Sequence, residues 1–324
     1  MPAPQQQIPQ TVHALAAHLA EGLVGHERLI ERMLIALLAG GHVLIEGAPG
    51  LAKTRAVKHL AAAIEGSFAR VQCTPDLMPS DVTGTPIFRP KEGLFEFVAG
   101  PIFHHIVLMD EINRAPPKVQ SVMLEAMAEG QVTVANVTRP LPSPFIVVAT
   151  QNPIEHEGTF PLPEAQLDRF LLHVALDLPD AKTERRILDL VEAETRSAEP
   201  TMVPMPMAAL QDARRDAMQV HLAPELRDYI VRLVTATRMG AAESHTDLVA
   251  DIEHPVSPRG SLALASAAKA RAFLHGRDHA LPEDVIDLAP DALAHRLVLS
   301  WRAVAEGRKP RELISDLLAR VEPL

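Results

Sequence analysis

Residues 47–54 read Gly-Ala-Pro-Gly-Leu-Ala-Lys-Thr and follow directly on the apolar run His42-Val43-Leu44-Ile45-Glu46. A strand that runs into a Gly-rich turn and then a helix aims several backbone N–H groups at one point, where the helix adds the positive end of its dipole. That geometry takes a phosphate. Gly47, Ala48, Pro49, Gly50, Leu51 and Ala52 supply the loop, Lys53 has the reach for β- and γ-phosphates, and the Thr54 hydroxyl can hold Mg²⁺. One letter departs from the usual pattern, because Ala52 stands where a second glycine is expected. A plain Gly/Pro turn before a helix is the alternative.

The rest of the first half extends the same architecture. Val43–Ile45, Phe68–Gln72, Ile106–Met109, Phe145–Thr150 and Leu171–Leu178 read as strands. The third and fourth are continuous apolar runs, as in strands buried on both faces. Helical patterns separate them, notably Thr54–Ile64 and Pro117–Glu129, the latter with Pro at its start and Gly130 after its end. Such alternation predicts a parallel five-stranded sheet covered on both faces. Residues 82–101 and 131–144 interrupt it with Gly- and Pro-punctuated apolar pieces that read as two inserted hairpins. Beyond Pro179 the strand signal stops and amphipathic helices follow. The expected division is an α/β unit over 1–200 and an all-α unit over 201–324.

Composition narrows the function classes. The chain has 324 residues and a formal net charge of −10, which argues against broad, non-specific binding to nucleic acid. A single cysteine, Cys73, forms no intramolecular disulfide and fits a reducing compartment. The polar Met1–Gln10 start lacks a leader pattern, and Leu29–Leu38 is broken by Glu31 and Arg32, so no run spans a membrane; the expected location is cytoplasmic. His104, His105 and His156 stand at no recognisable metal-ligand spacing. Lys182, Glu184, Arg185 and Arg186 mix their signs, as an exposed helix face does, and Met202–Met207 reads as linker packing.

Chemistry gathers at the strand ends. Asp110 closes an apolar strand and can hold Mg²⁺; Glu111 beside it can orient and deprotonate a water. Read alone, Asp-Glu after a strand is a solvated turn. Asn152 follows another buried strand and could hold that water or sense a γ-phosphate, or simply form a turn before Pro153. Ligands of open parallel sheets lie at the carboxyl ends of the strands, which is where Gly47, Asp110 and Asn152 all fall.

Taken together the motifs resemble the MoxR group of AAA+ ATPases, from Val24-Gly25 to about Arg296. The resemblance rests on Gly47–Thr54 with Ala52 included, Asp81-Val82-Thr83-Gly84, Asp110 to Pro116, Ala149 to Pro153, Leu162 to Phe170 and Ser257-Pro258-Arg259. It implies a P-loop AAA+ domain followed by a helical lid, with ATP and Mg²⁺ as cofactors. Arg169 is then an arginine finger offered to a neighbouring subunit, with a local salt bridge to Glu164 or Asp168 as the plain reading. Arg259 is a second sensor on the lid, acting in its own subunit or across an interface, or else a solvated helix-start arginine. Arg114 is a weaker candidate for an intersubunit contact. Phe95 and Phe97, in the first insert, either meet a partner or pack the hairpin onto its own domain. The implied activity is ATP hydrolysis in a ring, a homo-hexamer, that remodels a protein partner carrying a von Willebrand factor A domain. A nucleic-acid motor and a nucleotide-gated scaffold with little turnover are the competing classes.

Overall fold

The computed structural model describes residues 10–153, 158–196, 203–238 and 246–323. Helices α1 (Gln10–Gly22) and α2 (Glu27–Ala39) lead into β1 (Val43–Gly47) and α3 (Lys53–Ala62). Next come β2 (Phe68–Gln72), the short α4 (Pro79–Thr83), the hairpin β3 (Gly84–Arg89) and β4 (Leu94–Ala99), and β5 (Ile106–Asp110). After α5 (Pro117–Glu129) and the hairpin β6 (Gln131–Val134) and β7 (Val137–Pro140) stand β8 (Ile146–Gln151), α6 (Glu164–Leu167) and β9 (Leu172–Leu176). The second half holds α7 (Ala181–Arg196), α8 (Met207–Gln219), α9 (Pro224–Thr235), α10 (Thr246–Val249), β10 (Ile252–His254), α11 (Pro258–Leu274), α12 (Pro282–Leu293), β11 (Val298–Leu299), α13 (Trp301–Ala305) and α14 (Pro310–Arg320).

Five strands form one parallel sheet in the order β2-β5-β8-β1-β9, as the apolar runs require. Side chains alternate across it with a period of two. Val43 and Ile45, Ile106 and Leu108, Ile146 and Val148, and Leu172 and Val174 face one core, shared with α1, α2, α3 and the C-terminal helices. Leu44, Val107, Met109, Val147 and Ala149 face the other, closed by Val119, Met123 and Ala126 of α5 and by Val132 of the second hairpin. Removing a side chain such as Leu108 from either core costs about 2–5 kcal/mol.

Both expected inserts are antiparallel hairpins, β3–β4 and β6–β7. Phe97 and Phe95 have different fates. Phe97 stacks edge-on against Phe103 at 5.7 Å between ring centroids and lies under the Arg139 guanidinium at 3.8 Å, which ties the two hairpins together. Phe95 stays 73% exposed, and its ring pairs with Phe88 near the hairpin tip.

The C-terminal half is helical, with one addition that the sequence did not signal. Ile252–His254 and Val298–Leu299 pair as a two-stranded antiparallel ladder, too short to carry a periodicity. The two halves share one apolar cluster, to which α2 contributes from the first half and α8, α11 and α12 from the second. A buried ion network fastens them. Asp291 of α12 is fully buried and accepts from Arg32 at 2.9 Å, from Arg28 at 2.9 Å and from Arg311 at 2.7 Å. Three guanidinium groups hold its carboxylate below the ordinary range although burial pushes the other way. Breaking such a set by removing one member leaves a buried charge uncompensated, at about 3–5 kcal/mol.

Candidate functional site

The expected convergence at the carboxyl edge of the sheet is present. One cleft is lined by Pro49 to Arg55 of the loop and α3, Arg70 and Gln72 of β2, Asp110 and Glu111, and Thr150 and Asn152. Asp110 is its fixed point. The Asp110 carboxylate accepts Thr150 Oγ1 at 2.6 Å on Oδ1, and on Oδ2 it accepts Thr54 Oγ1 at 3.1 Å and Arg70 Nη2 at 2.6 Å. Burial would raise its pKa, but those three donors outweigh it and hold the group below the ordinary aspartate value, so it is a carboxylate at neutral pH.

Glu111 follows at the mouth with φ 60°, the left-handed region that non-glycine residues seldom occupy. Its N–H donates to Thr150 Oγ1 at 2.9 Å. Its Oε2 accepts Gln72 Nε2 at 3.0 Å and Arg114 Nη1 at 3.1 Å, so Arg114 sits within this chain's own cleft region. Lys53 Nζ donates to the carbonyls of Gly47 and Gln151, the latter at 3.2 Å, which carries the ammonium across the loop toward β8. Asn152 is buried at the end of β8.

The conformation at position 52 shows why a glycine is expected there. Ala52 caps α3 at φ 51°, ψ 18°, where an L-residue costs about 1–2 kcal/mol and glycine costs nothing. The loop keeps the shape that a glycine would permit, and the alanine takes the strain. A second, mostly apolar recess adjoins the loop between Leu23, Val24, His26, Leu51, Ile187 and Val191. Beside it Gly25 sits at φ +81°, and a Cβ there would meet Thr183 Cγ2 at 2.2 Å. Burial pulls the His26 pKa down against the pull of Glu27, which favours a neutral ring in this recess.

Neither Arg169 nor Arg259 belongs to the residues lining this cleft. Arg259 faces Asp168, and Arg169 follows Asp168 in the chain. Among the described residues Arg169 forms no salt bridge with Glu164 or Asp168; its Nη1 donates instead to the Leu124 carbonyl of α5 at 3.0 Å, and its Nε is buried without a hydrogen-bond partner. Asp168 is engaged by Arg296 at 2.9 Å, by the Ser257 hydroxyl at 3.2 Å and by Arg259 at 3.7 Å. Ser257 also caps α11 by accepting the Arg259 N–H at 3.2 Å.

Sequence reasoning missed Arg70, Gln72, Thr150 and the apolar recess. The alternation Phe68-Ala69-Arg70-Val71-Gln72 was a usable signal, since a period of two turns Arg70 and Gln72 to the face that carries Asp110 on the adjacent strand. Among the described residues no cluster of three His, Cys, Asp or Glu groups could hold a metal; His156 lies outside them. Thr54 and Asp110 offer instead two hard oxygen donors on one point, which fits Mg²⁺ completing its shell with phosphate and water. No helix of the described residues is long and apolar enough to cross a membrane.

A strand–loop–helix phosphate site on a β2-β5-β8-β1-β9 sheet, with a helical unit behind it, defines an AAA+ ATPase fold. Residues 42–172 match the ATPase family associated with various cellular activities (AAA), and residues 245–317 match the AAA lid domain. The chain is 44% identical over 299 residues to the chaperone MoxR1 of Mycobacterium tuberculosis, covering 92% of this chain and 78% of that protein. It is 32% identical over 325 residues to the protein MoxR of Methylorubrum extorquens, covering 94% and 91%. A crystal structure of a provisionally assigned ATPase from Cytophaga hutchinsonii superposes with a TM-score of 0.88 at 40% identity, covering 97% of this chain and 94% of that one. The chain belongs to the MoxR family of AAA+ ATPases.

Proposed function

We propose that the protein hydrolyses ATP with Mg²⁺ at a site completed by a second copy of the chain, and that it uses the cycle to remodel a protein partner. One observation carries the reading. The cleft gathers Lys53, Thr54, Asp110, Glu111 and Asn152, whereas the two arginines suited to a γ-phosphate do not line it: Arg169 bonds the Leu124 carbonyl and Arg259 faces Asp168. A guanidinium that does not line its own cleft suits delivery to a neighbour's.

Within the cleft, the loop amides and Lys53 take the phosphate charge. Thr54 and Asp110 would hold Mg²⁺, which when bound neutralises charge on the β- and γ-phosphates. Glu111 accepts the proton of the attacking water once Gln72 or Arg114 releases Oε2. Asn152 orients that water. The apolar recess beside His26 receives the base. Arg169 of the neighbour stabilises the charge that develops on the transferred group, and Arg259 joins it. A heterologous contact of this kind closes into a ring, and the family resemblance favours a homo-hexamer.

The relative named a chaperone supports a protein as the partner. The exposed Phe88–Phe95 tip of the first hairpin offers it an apolar contact, and the resemblance favours a von Willebrand factor A domain protein. Cys73 is buried, its thiol pushed up to about 12 chiefly by burial, and as the single cysteine it supports a reducing, cytoplasmic setting.

Hydrolysis by the wild type and by Glu111→Gln tests the reading. The variant keeps ATP binding and loses about 10²–10⁴ in rate, the usual worth of a general base. Equal, near-zero rates would sink the enzyme reading and leave a nucleotide-gated scaffold. The same variant, locked with ATP, is the bait for recovering the partner.

A further inference from the structure

Arg296 ends the short turn Ala294–Arg296 after α12, and its side chain is only 3% exposed. It spends its guanidinium on one short stretch of chain. Nε donates to Asp168 Oδ1 at 2.9 Å; Nη2 donates to the Asp168 carbonyl at 3.2 Å and to the Phe170 carbonyl at 2.6 Å; Nη1 reaches the Leu171 carbonyl at 3.4 Å and the Ala292 carbonyl. The carbonyls of Asp168 and Phe170 flank Arg169 on both sides. The Asp168 carboxylate, fixed by the same guanidinium, receives the Ser257 cap of α11 and faces Arg259.

We propose that Arg296 is a positioning residue for the two arginines offered to the neighbouring subunit: it clamps the backbone on either side of Arg169 and, through Asp168, sets the first turn of α11 that carries Arg259. This rests on the reading that Arg169 acts across the subunit contact. Only a planar fork can satisfy acceptors on both sides of one residue and still bond a carboxylate, so a lysine is not equivalent. Buried backbone carbonyls need partners, and here Arg296, joined by His295 Nε2 on the Phe170 carbonyl at 3.1 Å, supplies them from the second half for a segment of the first. Gly260 keeps the pieces close. A Cβ there would meet Val256 Cγ1 at 2.3 Å, Leu293 Cδ2 at 3.1 Å and Arg296 Cδ at 3.6 Å. Arg169, Arg259 and the end of α12 therefore form one unit, and a movement of the helical unit carries the finger with it.

The lesion should appear in the subunit that lends the arginines, not in the one that holds ATP. Arg296→Gln is expected to lower kcat about 10- to 100-fold, the scale of a misplaced catalytic group, and to leave the KM for ATP within about twofold, because uniform binding in the cleft is untouched. Mixed with Lys53→Ala, which lends intact arginines but holds no nucleotide, Arg296→Gln should regain activity. Arg169→Ala mixed with Lys53→Ala is the control. Recovery of the control pair without recovery of the Arg296 pair overturns the proposal and leaves the shared-site reading standing. Recovery of neither pair overturns both. If Arg296→Gln does not fold, Arg296→Lys carries the same expectations with a smaller loss, and an Arg296→Lys enzyme with wild-type kcat overturns the proposal.

Discussion

The cleft and the arginine cluster handle charge in opposite ways. In the cleft, anions and their donors gather at one edge of the sheet and neutralise each other locally: Asp110 sits among Thr54, Thr150 and Arg70, and Glu111 between Gln72 and Arg114. Around Asp168, Arg296 and Arg259 share a single carboxylate while Arg169 bonds the Leu124 carbonyl, so three guanidinium groups stand against one carboxylate and none of them lines the cleft. Charge balanced locally on one side and surplus cations on the other are consistent with the proposed site divided between copies.

The largest expected effect breaks the comparison from the cluster side. Arg169→Ala should lose about 10³–10⁵ in hydrolysis, or roughly 4–7 kcal/mol of barrier, with ATP binding nearly intact by fluorescence titration. Loss of binding as well would mean that Arg169 acts within its own chain or supports its fold.

Next in size is an acid effect on the strand that feeds the loop. His42 is buried just before β1; its Nδ1 accepts the Val147 N–H at 3.0 Å and its Nε2 donates to the Met127 carbonyl at 3.1 Å, which defines the neutral tautomer. Burial pulls its pKa from 6.5 down to about 4, with the nearby Arg214 charge acting in the same direction and the Met127 bond opposing. Below pH 6.5 the unfolded chain takes up a proton that the folded chain refuses. Stability is therefore complete above that value and is lost as pH falls toward 4, by roughly 3 kcal/mol in all. Denaturant midpoints across that window should fall with pH, and His42→Asn should flatten the slope. An unchanged slope would mean that His42 is protonated in the fold.

Arg70 gives a third, smaller test. It occupies the same Asp110 oxygen as Thr54, where Mg²⁺ would also arrive, so it competes with the metal. Arg70→Ala should tighten the apparent Mg²⁺ constant for hydrolysis about tenfold, the worth of one charged hydrogen bond. A weaker constant would make Arg70 a support for the metal site. Smallest of all is Ala52→Gly: relief of the left-handed strain is offset by the greater freedom of glycine in the unfolded chain, and the stability should change by no more than about 1 kcal/mol.

What was legible follows the same division. The five strands could be read because each is a run of apolar residues bounded by turns, and the loop because its chemistry is local in sequence. The neighbourhood of Asp110 needed strand pairing: Arg70 lies 40 positions away and becomes a neighbour only through β2 and β5. Arg296 is harder still, 128 positions from Asp168, on a segment with no periodicity pointing there. Arg169 and Arg259 entered only by resemblance, since an isolated arginine carries no sign of where its charge is used. The ladder of β10 and β11 was invisible because two or three residues make no pattern.

The central claim is that hydrolysis belongs to the contact between copies. It is tested most directly by measuring the per-subunit ATPase rate at saturating Mg²⁺ and ATP against protein concentration, with mass photometry on the same samples. The rate should follow the assembled fraction and vanish in the monomer. A monomer that hydrolyses ATP at the undiminished per-subunit rate would contradict the account.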